Sequence, residues 1–260
     1  MVWVVGIDEA GYGPNLGPLV LSSAAVRVPV ETACLWGLLS PAVARADGRA
    51  NGALVIDDSK KVYALAGGLG RLERGVLSVC RAGGLCGPEP PGVGAFVGAL
   101  ALPGSRADLA GEAWFAADEP LPVHPDGVPG GGEIERLCAA CEAAGVVCGP
   151  LRSAVIPAPR FNALLDRWGS KAAVLAHGLI ELLRAACETL PGDEPVWFHI
   201  DKQGGRNHYE AIISAAFPGG WVRPLAEGAD RSHYQVLGLG RPVELLFEPR
   251  AEERQWTVAL

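Results

Sequence analysis

At 260 residues, 49% hydrophobic and 20% charged, the chain can bury a substantial core, and its 35 glycines and 21 prolines fall short of a low-complexity composition. A net charge of −7 argues against gripping nucleic acid by bulk electrostatics, although acids clustered around cations make a local exception. Seven scattered cysteines, no basic leader and apolar runs such as Val93 to Leu102 that are too short to span a bilayer predict a soluble, cytoplasmic protein with no membrane partner.

Trp3-Val4-Val5 and Ile7 read as a buried strand that runs into two adjacent carboxylates, Asp8 and Glu9. Successive strand residues face opposite ways, so both acids reach one site only if the strand ends there and Gly11 and Gly13 turn the chain. Taken alone, the pair reads better as a solvated acidic turn capping a strand. Leu19 to Val28 predicts a second strand, antiparallel to the first and ended by Pro29. Thr32 to Leu39 is a helix candidate and Pro41 to Ala53 a loop. Leu54-Val55-Ile56 predicts a short strand that hands over to a helix at Ser59, with Asp57 and Asp58 at its positive end. By itself that is an ordinary helix cap.

Residues 81–150 are rich in turns and proline, with a helix candidate over Glu133 to Ala144. Cys138, Cys141 and Cys148 suggest zinc, but no second Cys-x-x-Cys pair accompanies them and small buried residues are the better reading. Arg160 to Leu165 and Ser170 to Cys187 predict helices, with His177 packed among apolar neighbours. Val196 to Ile200 is a strand that delivers Asp201 at its end, repeating the grammar of the opening. Arg223, Arg231, His233 and Tyr234 surround a short polar segment, Val243 to Phe247 predicts a further strand, and Glu252 and Glu253 follow it.

The segment GIDEAGYGPNLGPLV, residues 6–20, resembles the opening signature of the type 2 ribonucleases H, ribonucleases HII and HIII. Their first strand carries an Asp-Glu pair followed by Gly-x-Gly-Pro and then Gly-Pro. Asp58-Ser59-Lys60-Lys61 is similar to the family's Asp-Ser-Lys-Lys motif, letter for letter. The resemblance covers residues 2–65 and, patchily, 150–260. It implies one α/β domain over 1–260 with a ribonuclease H-like fold, a central mixed β-sheet flanked by helices, and an insertion at about 81–150. On this resemblance Asp8, Glu9, Asp201 and Glu252 are the catalytic, metal-binding acids, with Glu253 the alternative for the fourth. Gly11, Tyr12 and Gly13 would meet the 2′-hydroxyl, and Ser59, Lys60 and Lys61 the phosphates; a helix N-terminus plus lysine suits an anion.

Four converging carboxylates repel unless cations neutralise them, and hard oxygen ligands suit Mg²⁺ or Mn²⁺. Two such ions about 4 Å apart support in-line phosphodiester hydrolysis. The expected activity is cleavage of the RNA strand of RNA–DNA hybrids to 5′-phosphate and 3′-hydroxyl ends, by a monomer. Two departures stand out. Tyr12 occupies a position that is Arg in ribonucleases HII and Lys in HIII, and the sequence stops where the family's C-terminal helix would begin. The alternatives are a catalytically impaired nucleic-acid-binding relative, and an unrelated enzyme whose Asp-Glu pair performs metal-independent acid–base work.

Overall fold

An apolar run with little alternation needs cover on both faces, and the structure provides it. The computed structural model describes residues 1–10, 17–47, 52–87, 89, 91–113 and 119–260. In chain order the elements are β1 (Val2–Glu9), β2 (Leu19–Val28), α1 (Leu35–Leu38), β3 (Val43–Ala44), β4 (Leu54–Val55) and α2 (Ser59–Tyr63). There follow α3 (Gly68–Ala82), α4 (Val93–Leu100), α5 (Pro103–Leu109), α6 (Gly131–Ala144), β5 (Val147–Ile156), α7 (Ala158–Trp168) and α8 (Lys171–Thr189). The chain then forms β6 (Val196–Asp201), α9 (Glu210–Ala216), β7 (Trp221–Ala226), β8 (Ser232–Leu237), β9 (Val243–Glu248) and α10 (Trp256–Ala259). Seven strands make one mixed sheet in the order β5-β2-β1-β6-β9-β8-β7. Strand β1 is antiparallel to β2 and parallel to β6, β6 is parallel to β9, and β8 and β7 continue antiparallel.

Alternation along β1 sorts its side chains into two cores. Trp3, Val5 and Ile7 pack with Phe198, Leu245 and the α8 leucines, including Leu175, Leu179 and Leu182. Val2 and Val4 join Val26, Val28, Leu137 and Trp256 on the opposite face. Each fully buried leucine or valine contributes roughly 1.5–3 kcal/mol, so helices on both faces hold the central strands firmly. Helix α8 starts at Ser170, whose Oγ accepts the Ala173 N–H at 3.2 Å. It lies close to β2 because Gly178 carries no side chain; a Cβ there would stand 2.8 Å from Leu21 Cδ1.

Several expectations need correction. The helix expected over 32–39 is confined to Leu35–Leu38, and the segment read as loop contains β3, paired in parallel with β4. Residues 81–150, read as an insertion on the core domain, pack into it. Leu137 and Cys141 of α6 enter the second core, and β5, already under way at residue 147, pairs along β2. Helix α3, helix α9 and strands β5 and β7 lie in segments for which the sequence predicted no element, and the polar segment near His233 is strand β8. Cys141 is buried, whereas Cys138 is exposed. Among the described residues no helix is long and apolar enough to cross a membrane.

Candidate functional site

Strands β1 and β6 run in parallel with Ile7 beside Ile200, so their C-terminal acids emerge at the same end of the sheet. There a cleft of about 770 Å³ is lined by Asp8, Glu9, Asp201, Glu252, Ser59 and Lys60. Three separate stretches of chain thus bring together all four acids singled out in the sequence. Strand β1 ends at Glu9, as expected: Glu9 still pairs with Leu21, the Ala10 N–H donates to Val20 O at 2.9 Å, and both acids line the cleft. Gly11, Tyr12 and Gly13 lie outside the described residues.

The fourth acid is positioned by the third. Asp201 Oδ1 accepts the Ala251 N–H at 2.9 Å, which ties the end of β6 to the 3₁₀ turn Ala251–Glu253. Arg250 enters that turn in the left-handed region at φ 55°, a conformation uncommon for a side-chain-bearing residue. The turn points Glu252 into the cleft. Glu253 faces elsewhere and forms ion pairs with Lys61 at 3.5 Å and Arg250 at 3.7 Å. Helix α10 follows and lies directly on β1: a Cβ on Gly6 would stand 2.1 Å from the carbonyl carbon of Thr257. Thr257 and Val258 of α10 also line the cleft.

The Asp57–Lys61 motif divides its labour. Asp57 is buried and accepts the N–H groups of Ala46 and Asp58 at 3.1 and 2.8 Å, which fixes the strand-to-helix corner. Asp58 caps α2, with Oδ1 accepting the Lys60 N–H at 2.9 Å. That carboxylate takes one N–H at the start of the five-residue helix, where the phosphate contact was expected. Ser59 and the Lys60 side chain remain at the cleft, whereas Lys61 is committed to Glu253.

Electrostatic strain is concentrated on the acids. Burial, followed by the charges of Glu9, Asp201 and Glu252, pushes the Asp8 carboxyl up to about 7 against a lowering backbone hydrogen bond. Burial, with the charges of Asp201 and Glu252, also raises Glu9 to about 7. Glu252 is raised as well, first by burial. Its Oε2 is buried with no hydrogen-bond partner among the described residues. An orphaned anionic oxygen in a set made entirely of carboxylate oxygens fits a hard divalent cation such as Mg²⁺ or Mn²⁺. Among the described residues no three His, Cys, Asp or Glu side chains form a preformed metal-holding group.

Sequence reasoning missed two features of the site. Tyr209, fully buried, receives the Gln203 N–H on its hydroxyl at 3.2 Å and donates its own N–H to Tyr234 Oη at 2.8 Å. Tyr234 in turn donates to Glu227, and the Tyr209 ring stacks on Phe247 with centroids 3.7 Å apart. This network anchors the loop that leaves Asp201. The second feature is the apolar share of the cleft lining, to which Val20, Val76, Phe96, Val97 and Leu100 contribute. Tyrosines beside a polar loop gave a weak hint of the first; nothing in the sequence gave the second. Comparisons with protein-family models, with curated proteins and with solved structures find no match.

Proposed function

We propose that the chain is a divalent-metal-dependent endoribonuclease that hydrolyses the RNA strand of RNA–DNA hybrids, as its resemblance to the type 2 ribonucleases H implies. One observation carries the reading: the four acids picked out by that resemblance meet in a single cleft together with Ser59 and Lys60. The mixed sheet flanked by helices, with acids at the ends of parallel neighbours β1 and β6, supports it further. Asp8, Glu9, Asp201 and Glu252 would hold the cations. When bound, the ions would neutralise the carboxylates and polarise the scissile phosphate.

The chain's own residues supply placement. Lys60 offers a cation to a non-bridging phosphate oxygen from the rim, as a positioning contact without base readout. Asp201 holds Glu252 toward the reacting centre through the Ala251 N–H. Asp8 Oδ1 accepts the Glu9 N–H at 2.8 Å, which restrains rotation of the carboxylate. The test is cleavage of an end-labelled RNA–DNA hybrid in Mg²⁺ or Mn²⁺ beside an Asp8→Asn control. Metal-dependent cleavage abolished by the substitution supports the reading, and no cleavage under any metal condition refutes it.

A second reading is favoured by one specific observation. Carboxyls raised to about 7 are poised for general acid–base chemistry at neutral pH without any metal. It predicts turnover of a small substrate that is indifferent to chelator, whereas the nuclease reading requires that chelator stop the reaction.

A further inference from the structure

Strand register carries one polar row of the cleft beyond the acids. Asp8 of β1 stands beside Ser22 of β2, and Ser22 stands beside Ser153 of β5. Directly paired residues share a face of the sheet, and neighbouring strands lie about 4.8 Å apart. Ser22 and Ser153 therefore follow Asp8 across the sheet at roughly 5 and 10 Å. Both line the cleft, and their hydroxyls hydrogen-bond each other at 2.9 Å. The adjacent rows of the same face are apolar, with Val20 beside Val155 on one side and Ala24 beside Leu151 on the other, and all four residues line the cleft. The serine pair is thus a polar step in an otherwise apolar floor. Ser153 is buried and its carbonyl accepts the Leu102 N–H at 2.9 Å, whereas Ser22 is exposed, so a fixed inner hydroxyl holds an outer one at the cleft.

Resting on the nuclease reading of the same site, we propose that the Ser22–Ser153 pair binds the 2′-hydroxyl of a ribose next to the one at the scissile phosphate. The preferred substrate is then an RNA strand with at least two consecutive ribonucleotides, rather than one ribonucleotide set in DNA. The resemblance assigns hydroxyl contact to Gly11, Tyr12 and Gly13 alone; this second contact comes from side chains on β2 and β5. The chemistry selects a hydroxyl. A serine hydroxyl has one donor and two acceptor sites, and the bond between the serines uses one donor and one acceptor. Whichever way that bond runs, Ser22 keeps an acceptor site, which a 2′-hydroxyl can fill and an ionised phosphate cannot. The row also holds no basic side chain and begins at a carboxylate, surroundings that disfavour a phosphate oxygen. A deoxyribose in that place would leave the pair facing a C–H.

The experiment is a deoxy scan. An end-labelled RNA–DNA hybrid is prepared as a series in which each member has one ribonucleotide replaced by its 2′-deoxy counterpart. Wild type, Ser22→Ala and Ser22→Thr are compared on every member by cleavage in Mn²⁺ and by fluorescence-anisotropy binding. In the wild type, a deoxy substitution next to the ribose at the mapped cut should weaken binding and kcat/KM roughly 3- to 10-fold, the effect of one hydrogen bond. Ser22→Ala should weaken the all-ribose hybrid by a similar factor and erase the penalty at that position, at an unchanged melting temperature. Ser22→Thr keeps a hydroxyl on a side chain suited to a strand and should retain the penalty. The proposal is overturned by a scan with no sensitive flanking position, or by a flanking penalty that survives Ser22→Ala. It is equally overturned if Ser22→Ala lowers the melting temperature and weakens every member alike, the mark of a mere tie between strands. The two readings fail separately. A Ser22-dependent penalty in binding without cleavage would sink the nuclease and leave the contact standing; cleavage with a scan indifferent to Ser22→Ala would do the reverse, and neither binding nor cleavage would remove both.

Discussion

Replacing Asp8 with Asn should stabilise the metal-free protein. Asp8 sits partly buried among three other acids, and its carboxyl is raised from 3.8 to about 7. A group whose folded-state pKa lies above its unfolded value loses stability as pH rises between the two. Below about 4 both states are protonated and the acid costs nothing; above about 7 the native state must hold the charge and the full penalty is present. A tenfold change in an equilibrium is worth about 1.4 kcal/mol, so a fully sealed group would cost roughly 4 kcal/mol. Asp8 retains some exposure, and solvent screening brings the expected gain to about 1–2 kcal/mol. For a domain of this size that is a melting-temperature increase of roughly 2–5 °C. Scanning calorimetry with chelator at about pH 8 should show the increase, and a scan near pH 4 should not. An unchanged or lower melting temperature at the higher pH, or a gain that persists in acid, would refute the electrostatic reasoning.

Four further outcomes follow from the geometry. Glu252→Gln should abolish metal-dependent cleavage, whereas Glu253→Gln, which removes only rim ion pairs, should leave the rate within about 2-fold; reversal of that order in a cleavage assay would exchange their roles. Lys60→Ala should weaken binding to all hybrid sequences alike and lower the slope of log affinity against log salt by about 1 in a titration series. Gly6→Ala should push α10 off β1 and destabilise by roughly 1–3 kcal/mol or more in urea unfolding, since the new methyl would meet the backbone of Thr257. Trp256→Ala, which empties a position only 2% exposed in the second core, should cost about 3–5 kcal/mol by the same measurement.

The parts of the fold legible in the sequence are those where one physical signal dominates. Strands β1, β6 and β9 are apolar runs buried on both faces, and α8 has a helical stripe behind a serine cap. Strand β5 was hidden because Gly149-Pro150 and Arg152 break its apolar run, and it survives at the sheet edge where such residues are tolerated. Strand β7 carries Pro224 at the other edge. Strand β8 alternates cleanly between buried and half-buried residues, but its outward-facing His233 and Gln235 made it look like a polar loop. Helix α3 contains Gly68, Gly70 and Gly75, a composition that propensity disfavours and tertiary packing overrides. Asp8, Glu9 and Asp201 were legible because each stands at the end of an apolar strand, whereas Glu252 was singled out by the resemblance. The apolar share of the cleft lining was not, because Val76, Phe96 and Leu100 carry no motif and join the cleft only through the path of the chain.

Four carboxylates from three stretches of chain either act as one cation site or do not. Electron paramagnetic resonance of Mn²⁺ titrated into the protein measures this directly, without any substrate. Depletion of the free-ion signal by the wild type, lost in Asp201→Asn and competed by Mg²⁺, is the predicted result. Equal free-ion signals with the wild type and with Asp201→Asn would contradict it.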